Sequence, residues 1–465
     1  MYLVYTSQDF FSFPQNAAKT QRLRAMFGAM SLMVILIPDA FVFCVILALI
    51  TFVWASLATK TSPIKMITYW YDGFWTQSTF AFQMTIMVVV CASFAKAPQI
   101  RKALDRLATL AKTPRGCMVV LMIFGYVSSF VNWAFCTVVT PILAMRMAKN
   151  VKGLHFPMMV AAGYTTMILG QCLGPSASLY ALVASEDHFL ADKIGVLTQN
   201  QTTYNPMNVI LWLILAVVVM VVSILTTPPA SEIIEFHGEL AEEDIVEEAV
   251  TNPTPADRLN GSHILMWIVA AIGIVYIVWS FINNGFLGSL SLNFMIFLFI
   301  TLNCIVYNTP KKFIVAIRDS MVLATDVMIQ FPFYGAIMGM MTSSGLGEMI
   351  VNSLSGITTA HTVPLVTFFS AWVLNLFIPS QGGQWIVQGP IMVPLALEKG
   401  AYIPHILNAF VYGDETTNLL QPLYLIPALA VVNVPLKKVW GYCAYICLFM
   451  TVIIAVGLLV LPRFM

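Results

Sequence analysis

Long stretches without a charged residue recur through the sequence, and they limit the fold more than any other feature. Two examples are Met207–Thr226 and Ile264–Ile282. An α-helix needs roughly 20 residues to cross the ~30 Å apolar core of a bilayer, and both stretches have about that length. Only 10% of the residues are charged, whereas a soluble protein has ~25%. The sequence therefore predicts an all-α membrane protein that crosses the bilayer many times.

The distribution of Lys and Arg predicts the topology, because cytoplasmic loops of membrane proteins are enriched in these residues. A cytoplasmic N-terminus and about nine crossings place the basic clusters near Arg101 and Lys311 in the cytoplasm. This count requires that two further apolar stretches, 117–149 and 362–397, are re-entrant hairpins. The C-terminus then lies outside. The predicted crossings are roughly 40–58, 74–95, 155–185, 206–227, 263–282, 289–307, 320–342, 403–433 and 440–461.

The two halves of the chain contain a repeat, in which Pro, Gly and polar residues match at one fixed spacing. A local shift inside the hairpins also pairs Asn132 with Asn375. An odd number of predicted crossings separates the starts of the two copies, so the second copy is predicted to be inverted. Inverted repeats are typical of secondary transporters, whose substrate site lies near the membrane midplane between the copies. The matched pairs are Pro63 and Pro310, Lys65 and Lys312, Asp72 and Asp319, Gln83 and Gln330, Gly153 and Gly400, Pro157 and Pro404, and Pro175 and Pro422.

These patterns divide the chain into consecutive segments. One of them is a linker rich in Asp and Glu, which we interpret as a solvated connection, with a regulatory or partner site as the alternative. The predicted segments are a cytoplasmic N-terminus with an interfacial helix (1–39), a first repeat (40–227) with a cytoplasm-facing hairpin at 117–149, the acidic cytoplasmic linker (228–262), an extra helix (263–288), and a second, inverted repeat (289–465) with an outside-facing hairpin at 362–397.

The tip of the second hairpin is the strongest candidate for a substrate site. Pro379 and the pair Gly382-Gly383 interrupt an apolar stretch there. Interrupted backbone at membrane depth occurs only where protein or a water-filled cavity satisfies its polar groups. The N–H groups at the start of the following half-helix would attract a small organic anion, although a simple membrane turn is the alternative. The candidate substrate-binding residues are Asn132, Ser176, Asn375, Ser380, Gln381, Gly382, Gly383 and Gln384, and Asn132 could instead serve helix packing.

Two adjacent carboxylates, Asp414 and Glu415, lie at the predicted membrane depth. An acid inside the membrane is energetically expensive, which favours a functional role. With Thr416, Thr417 and Asn418 beside them, they are candidates for carrying H⁺ or coordinating Na⁺, and structural carboxylates are the alternative. The eight cysteines show no metal-ligand spacing, so no metal and no other cofactor is predicted. The net charge of +1 gives no indication of nucleic-acid binding.

The chain contains the motifs Tyr71-Asp72-Gly73-Phe74-Trp75, Asn132-Trp133 with Phe135, Gln330-Phe331-Pro332-Phe333-Tyr334, Pro379-Ser380 with Gly382-Gly383, Trp385 with Gln388-Gly389-Pro390, and Gly441-Tyr442-Cys443. Together these motifs resemble those of the short-chain fatty acid transporter family, over nearly the whole chain from about Pro38. The family implies uptake of small monocarboxylates such as acetoacetate or butyrate, and a relation to a wider group of ion transporters with paired hairpins and interrupted helices. This sequence has Gln381 where the family pattern has Gly, and Gln384 where it has His.

We therefore predict a secondary active transporter of the bacterial inner membrane that takes up a short-chain monocarboxylate by alternating access, coupled to H⁺ or Na⁺. The alternatives are a cation/proton antiporter of related fold and a carrier for another small organic anion or an amino acid. No catalytic motif favours an enzyme. The sequence leaves open whether the chain works alone or as a homodimer.

Overall fold

The structure, a computed structural model, describes residues 40–463 except Ser176, 238–253, Phe377, Pro379, 421–424, 426–428 and 430–435. The predicted interfacial helix within 1–39 and most of the acidic linker lie outside these residues. The described residues form helices joined by turns, with no β-strand among them. This part of the chain is all-α, as the sequence predicts.

The helices of the first half are α1 (Ala40–Thr59), α2 (Pro63–Trp75), α3 (Ser78–Ala95), α4 (Pro98–Ala108), α5 (Pro114–Val131), α6 (Trp133–Asn150), α7 (Phe156–Leu173), α8 (Ser178–Val183), α9 (Ala191–Ile194) and α10 (Pro206–Leu225). The helices that follow are α11 (Pro255–Asn260), α12 (His263–Ser289), α13 (Leu292–Tyr307), α14 (Pro310–Ser320), α15 (Thr325–Ser344), α16 (Leu346–Ser355), α17 (Val363–Leu374), α18 (Gln381–Lys399), α19 (Ile403–Thr417) and α20 (Leu436–Val460).

Several of these helices have the length and composition of membrane crossings. Within the described residues, 6 helices are long and apolar enough to cross a membrane, or up to 7 if the bent pair Pro310–Ala324 and Met328–Ser344 forms one crossing. Their large apolar side chains are widely exposed, as on α12 with Ile264 and Trp267, and such surfaces suit contact with lipid. The chain is thus a multi-pass membrane protein, whereas the count of nine crossings stays a prediction.

The order of helices in the first half recurs in the second half. Helices α1 to α7 have counterparts in α13 to α19 at the spacing of the sequence repeat. Packing recurs as well, since α1 contacts α15 and α13 contacts α3, while α5 packs on α7 and α17 packs on α19. Helix α12 has no counterpart among the described residues of the first half and packs mainly on α13. The opposite orientation of the two copies stays a prediction.

Helices α7 and α19 occupy the centre of this arrangement. Both are buried along almost their whole length and contact each other. Helices α10 and α20 flank them and also contact each other. Each half therefore contributes one central helix, and the candidate functional site lies where these two helices end.

Two pairs of packed helices lie where the sequence predicts the hairpins. Helices α5 and α6 are separated by Asn132 alone, whose backbone is extended (φ −163°, ψ 130°). Helices α17 and α18 are separated by 375–380. The breaks coincide with the predicted tips. Whether each pair enters and leaves the membrane on one side stays a prediction.

Helices α2 and α15 cross closely at Gly73, and this crossing explains the glycine in the Tyr71–Trp75 motif. A Cβ atom on Gly73 would lie 2.5 Å from the carbonyl oxygen of Gly335 and 2.9 Å from the Cα of Gly339. A Cβ on Gly339 would lie 2.5 Å from the carbonyl oxygen of Tyr69. Backbones can approach this closely in a membrane only where the facing residues are small. This contact joins a helix of the first repeat to a helix of the second.

The first residues of the acidic linker are tied to the start of α7. Ile234 accepts a hydrogen bond from the N–H of Phe156 (2.9 Å) and donates its own N–H to Nδ1 of His155 (3.1 Å). The other ring nitrogen of His155 lies 3.0 Å from the hydroxyl of Tyr442 on α20. This end of the linker is therefore held against the helix bundle.

Replacement of Gly73 by Ala should destabilise the fold, because the added methyl group meets backbone atoms that cannot move away. Overpacking of this kind costs ~1–3 kcal/mol. Thermal unfolding of the purified protein in detergent measures the loss. Gly288→Ala is the matched control, since a Cβ there has only an ordinary contact, 3.7 Å from Asn284 Cβ. Equal melting temperatures for the two variants would contradict the proposed close crossing.

Candidate functional site

A small buried cavity lies where the broken segments of the fold meet. Its volume is ≈ 10 Å³, which is room for about one water molecule. Both hairpins and both central helices contribute to its wall. The lining residues are Met84, Trp133, Gln171, Ser178, Phe331, Ser380, Gln381, Glu415 and Asn418.

The two repeats contribute matching positions to this cavity. Met84 of α3 corresponds to Phe331 of α15, and Gln171 of α7 corresponds to Asn418 at the end of α19, both at the repeat spacing. The cavity is therefore located between the copies, where a secondary transporter holds its substrate. The two copies differ in the acid that they contribute to the wall, because Glu415 of the second copy corresponds to Ile168 in the first.

Part of the predicted substrate site lines the cavity directly. Ser380 and Gln381 are in its wall, and so are Glu415 and Asn418 from the predicted ion site. Ser176 lies outside the described residues. The sequence prediction missed Ser178 and Met84 and did not select Gln171, although Gln171 lies in the interrupted segment that ends α7.

Gln381 connects the first repeat to the acid of the second. Its side-chain oxygen accepts the backbone N–H of Leu179 at 2.8 Å, at the start of α8. Its NH₂ group donates to Oε1 of Glu415 at 3.0 Å. Asn418 donates to the other oxygen, Oε2, at 3.2 Å. Both oxygens of the buried Glu415 side chain are thus hydrogen-bonded to neutral amides.

Asn375 holds the end of α17 against α19 and does not line the cavity. Its NH₂ group lies within hydrogen-bonding distance of the carbonyl oxygen of Asp414 (2.5 Å), Oγ1 of Thr417 (2.9 Å) and Oδ1 of Asn418 (2.9 Å). These contacts position the polar end of α19. Asn375 therefore acts on the site through the residues that it orients.

The paired glycines at the start of α18 are packed against aromatic rings. A Cβ on Gly382 would lie 2.7 Å from Cε1 of Phe80, and a Cβ on Gly383 would lie 2.4 Å from Cδ2 of Tyr334. Ser380 caps this helix, since its hydroxyl oxygen accepts the N–H of Gly383 at 3.4 Å. The glycines thus let the helix start approach the rings of α3 and α15.

Gln384 and Asn132 also have defined partners. The NH₂ group of Gln384 donates to the carbonyl oxygen of Ala371 (3.0 Å) and to Oε1 of Gln388 (3.0 Å). Asn132 caps α6, because its side-chain oxygen accepts the N–H groups of Ala134 (2.8 Å) and Phe135 (3.1 Å). Asn132 is the capping residue at the end of α5 and also at the start of α6. In the second helix pair these two positions are held by separate residues, Asn375 at the end of α17 and Ser380 at the start of α18.

The remaining residues of the predicted ion site are fully buried behind the cavity wall. The hydroxyl groups of Thr416 and Thr417 donate to carbonyl oxygens of their own helix, at Tyr412 (2.5 Å) and Gly413 (3.3 Å). Within the described chain, no amide, hydroxyl or backbone N–H group donates to the carboxyl oxygens of Asp414, and its carboxyl group interacts with that of Glu415. The described lining residues include no Lys, Arg or His. No cluster of three or more His, Cys, Asp or Glu that could hold a metal ion occurs in the described part.

Comparison with known proteins connects this architecture to a family. The family model described as "Short chain fatty acid transporter" matches residues 22–461. Two relatives named for short-chain fatty acid transport match most of the chain. The one from Escherichia coli (strain K12) is 31% identical over 424 residues, which cover 91% of this chain and 96% of the relative. The one from Haemophilus influenzae is 28% identical over 431 residues, which cover 91% and 96%.

Two solved transporter structures share the fold at low sequence identity. The YdaH transporter of Alcanivorax borkumensis aligns with a TM-score of 0.63 at 14% identity, covering 92% of this chain and 99% of that one. MtrF of Neisseria gonorrhoeae, described as illuminating a class of antimetabolite efflux pumps, aligns with a TM-score of 0.57 at 15% identity, covering 91% and 95%. These likenesses concern the fold alone.

Replacement of Asn375 by Ala should lower the free energy of unfolding by ~1–3 kcal/mol, because it leaves buried acceptors of α19 without their donor. The melting temperature of the purified protein in detergent measures this loss. Thr109→Ala is the control, since it removes an exposed side-chain hydrogen bond (2.7 Å to the carbonyl oxygen of Arg106). An Asn375→Ala protein as stable as the control variant would contradict the structural role.

Proposed function

The chain belongs to the short-chain fatty acid transporter family, and from this premise we propose that it is a secondary active transporter that takes up a short-chain monocarboxylate together with H⁺ or Na⁺. The observation that carries the proposal is a small cavity between the two repeats with neutral hydrogen-bond donors and one acid in its wall. We place the protein in the bacterial inner membrane, with the N-terminus in the cytoplasm and the C-terminus outside, from the distribution of its Lys and Arg.

The cavity offers separate surfaces for the two ends of a short fatty acid. Ser380, Gln381 and Gln171 present hydroxyl and amide groups that can donate to a carboxylate. The first N–H groups of α18 favour negative charge at the same place. Met84, Trp133 and Phe331 form an apolar wall for the hydrocarbon tail.

Glu415 in the cavity wall gives a physical reason why entry of the anion would be coupled to entry of a cation. Two like charges 4 Å apart repel each other by ~4 kcal/mol at an effective dielectric constant of ~20. An anion therefore cannot lie beside an ionised Glu415 unless a cation neutralises one of the two charges. The candidate ion site comprises Asp414 and Glu415, with Thr416, Thr417 and Asn418 around them. Entry of the anion and of one H⁺ or Na⁺ is thereby linked.

The size of the cavity indicates that binding requires movement. A carboxylic acid does not fit into room for about one water molecule, so the wall must open. The hydrogen bond from the N–H of Leu179 to Gln381 joins α8 of the first repeat to α18 of the second. Separation of α18 from α8 would break this bond and enlarge the cavity. We propose this step as part of alternating access between the two sides.

A cation/proton antiporter is the second candidate function. It is favoured by the two adjacent buried acids of α19, which could carry cations in exchange without an organic anion. A carrier for another small organic anion or an amino acid is a further alternative. A homodimer would be compatible with each of these functions.

Proteoliposomes with the purified protein should accumulate radiolabelled butyrate against its gradient when an inward H⁺ or Na⁺ gradient is imposed. One coupled proton and a pH difference of one unit can drive about tenfold accumulation, since that difference corresponds to ~1.36 kcal/mol. Protein-free liposomes correct for passive diffusion of the acid. Cation exchange without any organic anion, and no accumulation of butyrate, would favour the antiporter.

Replacement of Glu415 by Gln should abolish gradient-driven accumulation, because the cavity wall then lacks the acid that requires a coupled cation. Exchange of labelled for unlabelled butyrate across the membrane should persist at a measurable rate, since exchange needs no net movement of the cation. Exposed Glu348 provides a control variant, Glu348→Gln, which should accumulate butyrate like the wild type. Wild-type accumulation by Glu415→Gln would remove this acid from the coupling mechanism.

A further inference from the structure

A second, larger cavity lies at the other end of α7 from the candidate functional site. Its volume is ≈ 670 Å³, within the roughly 300–1,000 Å³ that is typical of ligand pockets. Residues at the start of α5, before and at the start of α7, and at the end of α10 form its wall. Met159 of this wall and Gln171 of the first cavity are ~18 Å apart along α7, at a rise of ~1.5 Å per residue. The two cavities are therefore separate sites.

We propose that this second cavity binds one anionic phospholipid of the surrounding membrane, with the phosphate on Arg115 and hydrocarbon against the apolar part of the wall. The proposal does not rest on the identity of the transported substrate. It rests on the charge of the wall, on its apolar side chains and on its position beside a lipid-facing helix.

Three helices that pack on one another leave this space at their ends. Helix α5 contacts α7 and α10, and α7 contacts α10. The N-cap of α5 is Thr113, whose hydroxyl oxygen accepts the N–H of Gly116 at 3.1 Å. A Cβ on Gly153 would lie 4.0 Å from Cγ of Pro114, so the loop before α7 lies beside the start of α5. The cap and this loop thus fix the first turn of α5, which carries Arg115, at the cavity.

Arg115 is the cation of the wall. It is exposed, and within the described part of the chain no ion pair joins it to an acid. The described lining residues include no Asp or Glu. Exposed Lys112 directly precedes Thr113, and exposed Lys152 directly precedes Gly153. Positive charge therefore surrounds the cavity, and a guanidinium group can bind a phosphate through two parallel hydrogen bonds.

His155 also lines the cavity, but its hydrogen bonds fit a neutral ring. The N–H of Ile234 donates to Nδ1 of His155 at 3.1 Å, so Nδ1 presents a lone pair and carries no proton. The ring proton is then on Nε2, which lies 3.0 Å from the hydroxyl of Tyr442. Glu235 of the linker accepts the N–H of Gly153 and is not among the lining residues. Arg115 is thus the charge that a ligand meets in the wall.

Much of the remaining wall is apolar and extends to a surface that suits lipid. Met118, Leu154 and Met159 are buried, whereas Leu225 at the end of α10 is 77% exposed. Only 33% of the apolar span of α10 is buried. A ligand that combines an anionic head with hydrocarbon matches this wall, whereas free phosphate would leave the apolar side chains uncovered. Basic pockets at the ends of membrane helices are known to bind anionic lipid head groups.

A bound lipid would stabilise one end of the central helix α7. Leu154 and His155 directly precede this helix, and Met159 belongs to its first turns. His155 also joins α7 to the linker at Ile234 and to α20 at Tyr442. Because a ligand that binds only the folded protein raises its stability, lipid binding at this site should be measurable as a higher melting temperature.

Thermal unfolding of the full-length protein in detergent, titrated with dioleoyl phosphatidylglycerol, tests the proposal. Dioleoyl phosphatidylcholine is the comparison, since it has the same acyl chains and no net charge. The wild type should be stabilised at lower concentrations of phosphatidylglycerol than of phosphatidylcholine. Arg115→Gln should need about fivefold more phosphatidylglycerol for the same rise, which is the effect of one basic residue beside anionic lipid.

Two matched controls separate the site from general effects. Arg106→Gln removes the same charge from an exposed position on α4 outside the cavity and should respond like the wild type. Ile224→Trp fills the cavity from the end of α10 and should weaken the response to phosphatidylglycerol. Ile210→Trp, on the same helix but outside the cavity, should not. If Arg115→Gln does not fold, the two tryptophan variants decide.

Four results would overturn the proposal: equal responses of the wild type to the two lipids, a wild-type response in Arg115→Gln, an equal loss in Arg106→Gln, or the same stabilisation by inorganic phosphate or by oleate. The last result would mean that the cavity takes a free anion or a fatty acid and not a phospholipid. The measurement needs no transport, so absent butyrate uptake would count against the proposed function and not against the lipid site.

Discussion

Carboxyl groups that are removed from water must share a proton, take up a cation or receive hydrogen bonds, and this requirement governs the centre of the molecule. Asp414 and Glu415 are fully buried on α19, and no described Lys or Arg acts electrostatically on either acid. The amides of Gln381 and Asn418 meet the requirement at Glu415. Gln381 belongs to the second repeat and accepts a hydrogen bond from the first, so the hydrogen bonds around this acid connect the two repeats.

The surrounding packing makes this arrangement possible. Close helix contacts at Gly73 and at the start of α18 leave no room for side chains and bring the interrupted segments to the centre. The breaks themselves are stabilised by capping side chains, Asn132 in the first hairpin and Ser380 in the second. Backbone that is interrupted inside a membrane must be satisfied in this way. The result is a cavity whose walls come from both repeats.

Much of this organisation follows from the sequence, because apolar length, Pro and Gly positions and buried acids leave strong local patterns. The helix breaks at Asn132 and between α17 and α18, and the burial of the acid pair, are predictable for that reason. The roles of single polar residues are not. Asn375 resembles a substrate ligand in the sequence, but its partners Thr417 and Asn418 come from a helix that only the fold brings close. Gly382 and Gly383 likewise pack against the rings of Phe80 and Tyr334, which belong to two helices distant in the sequence.

The central claim is that a small anion and one cation, H⁺ or Na⁺, bind together between the two repeats. The number of protons taken up on binding, measured with and without Na⁺, tests it most directly. Calorimetric titration of the purified protein with butyrate, in two buffers of different ionisation enthalpy, gives this number without interference from passive diffusion through lipid. The account predicts either uptake of about one proton per bound butyrate or binding that requires Na⁺ in place of choline. Butyrate binding with no proton uptake and no dependence on Na⁺ would contradict it.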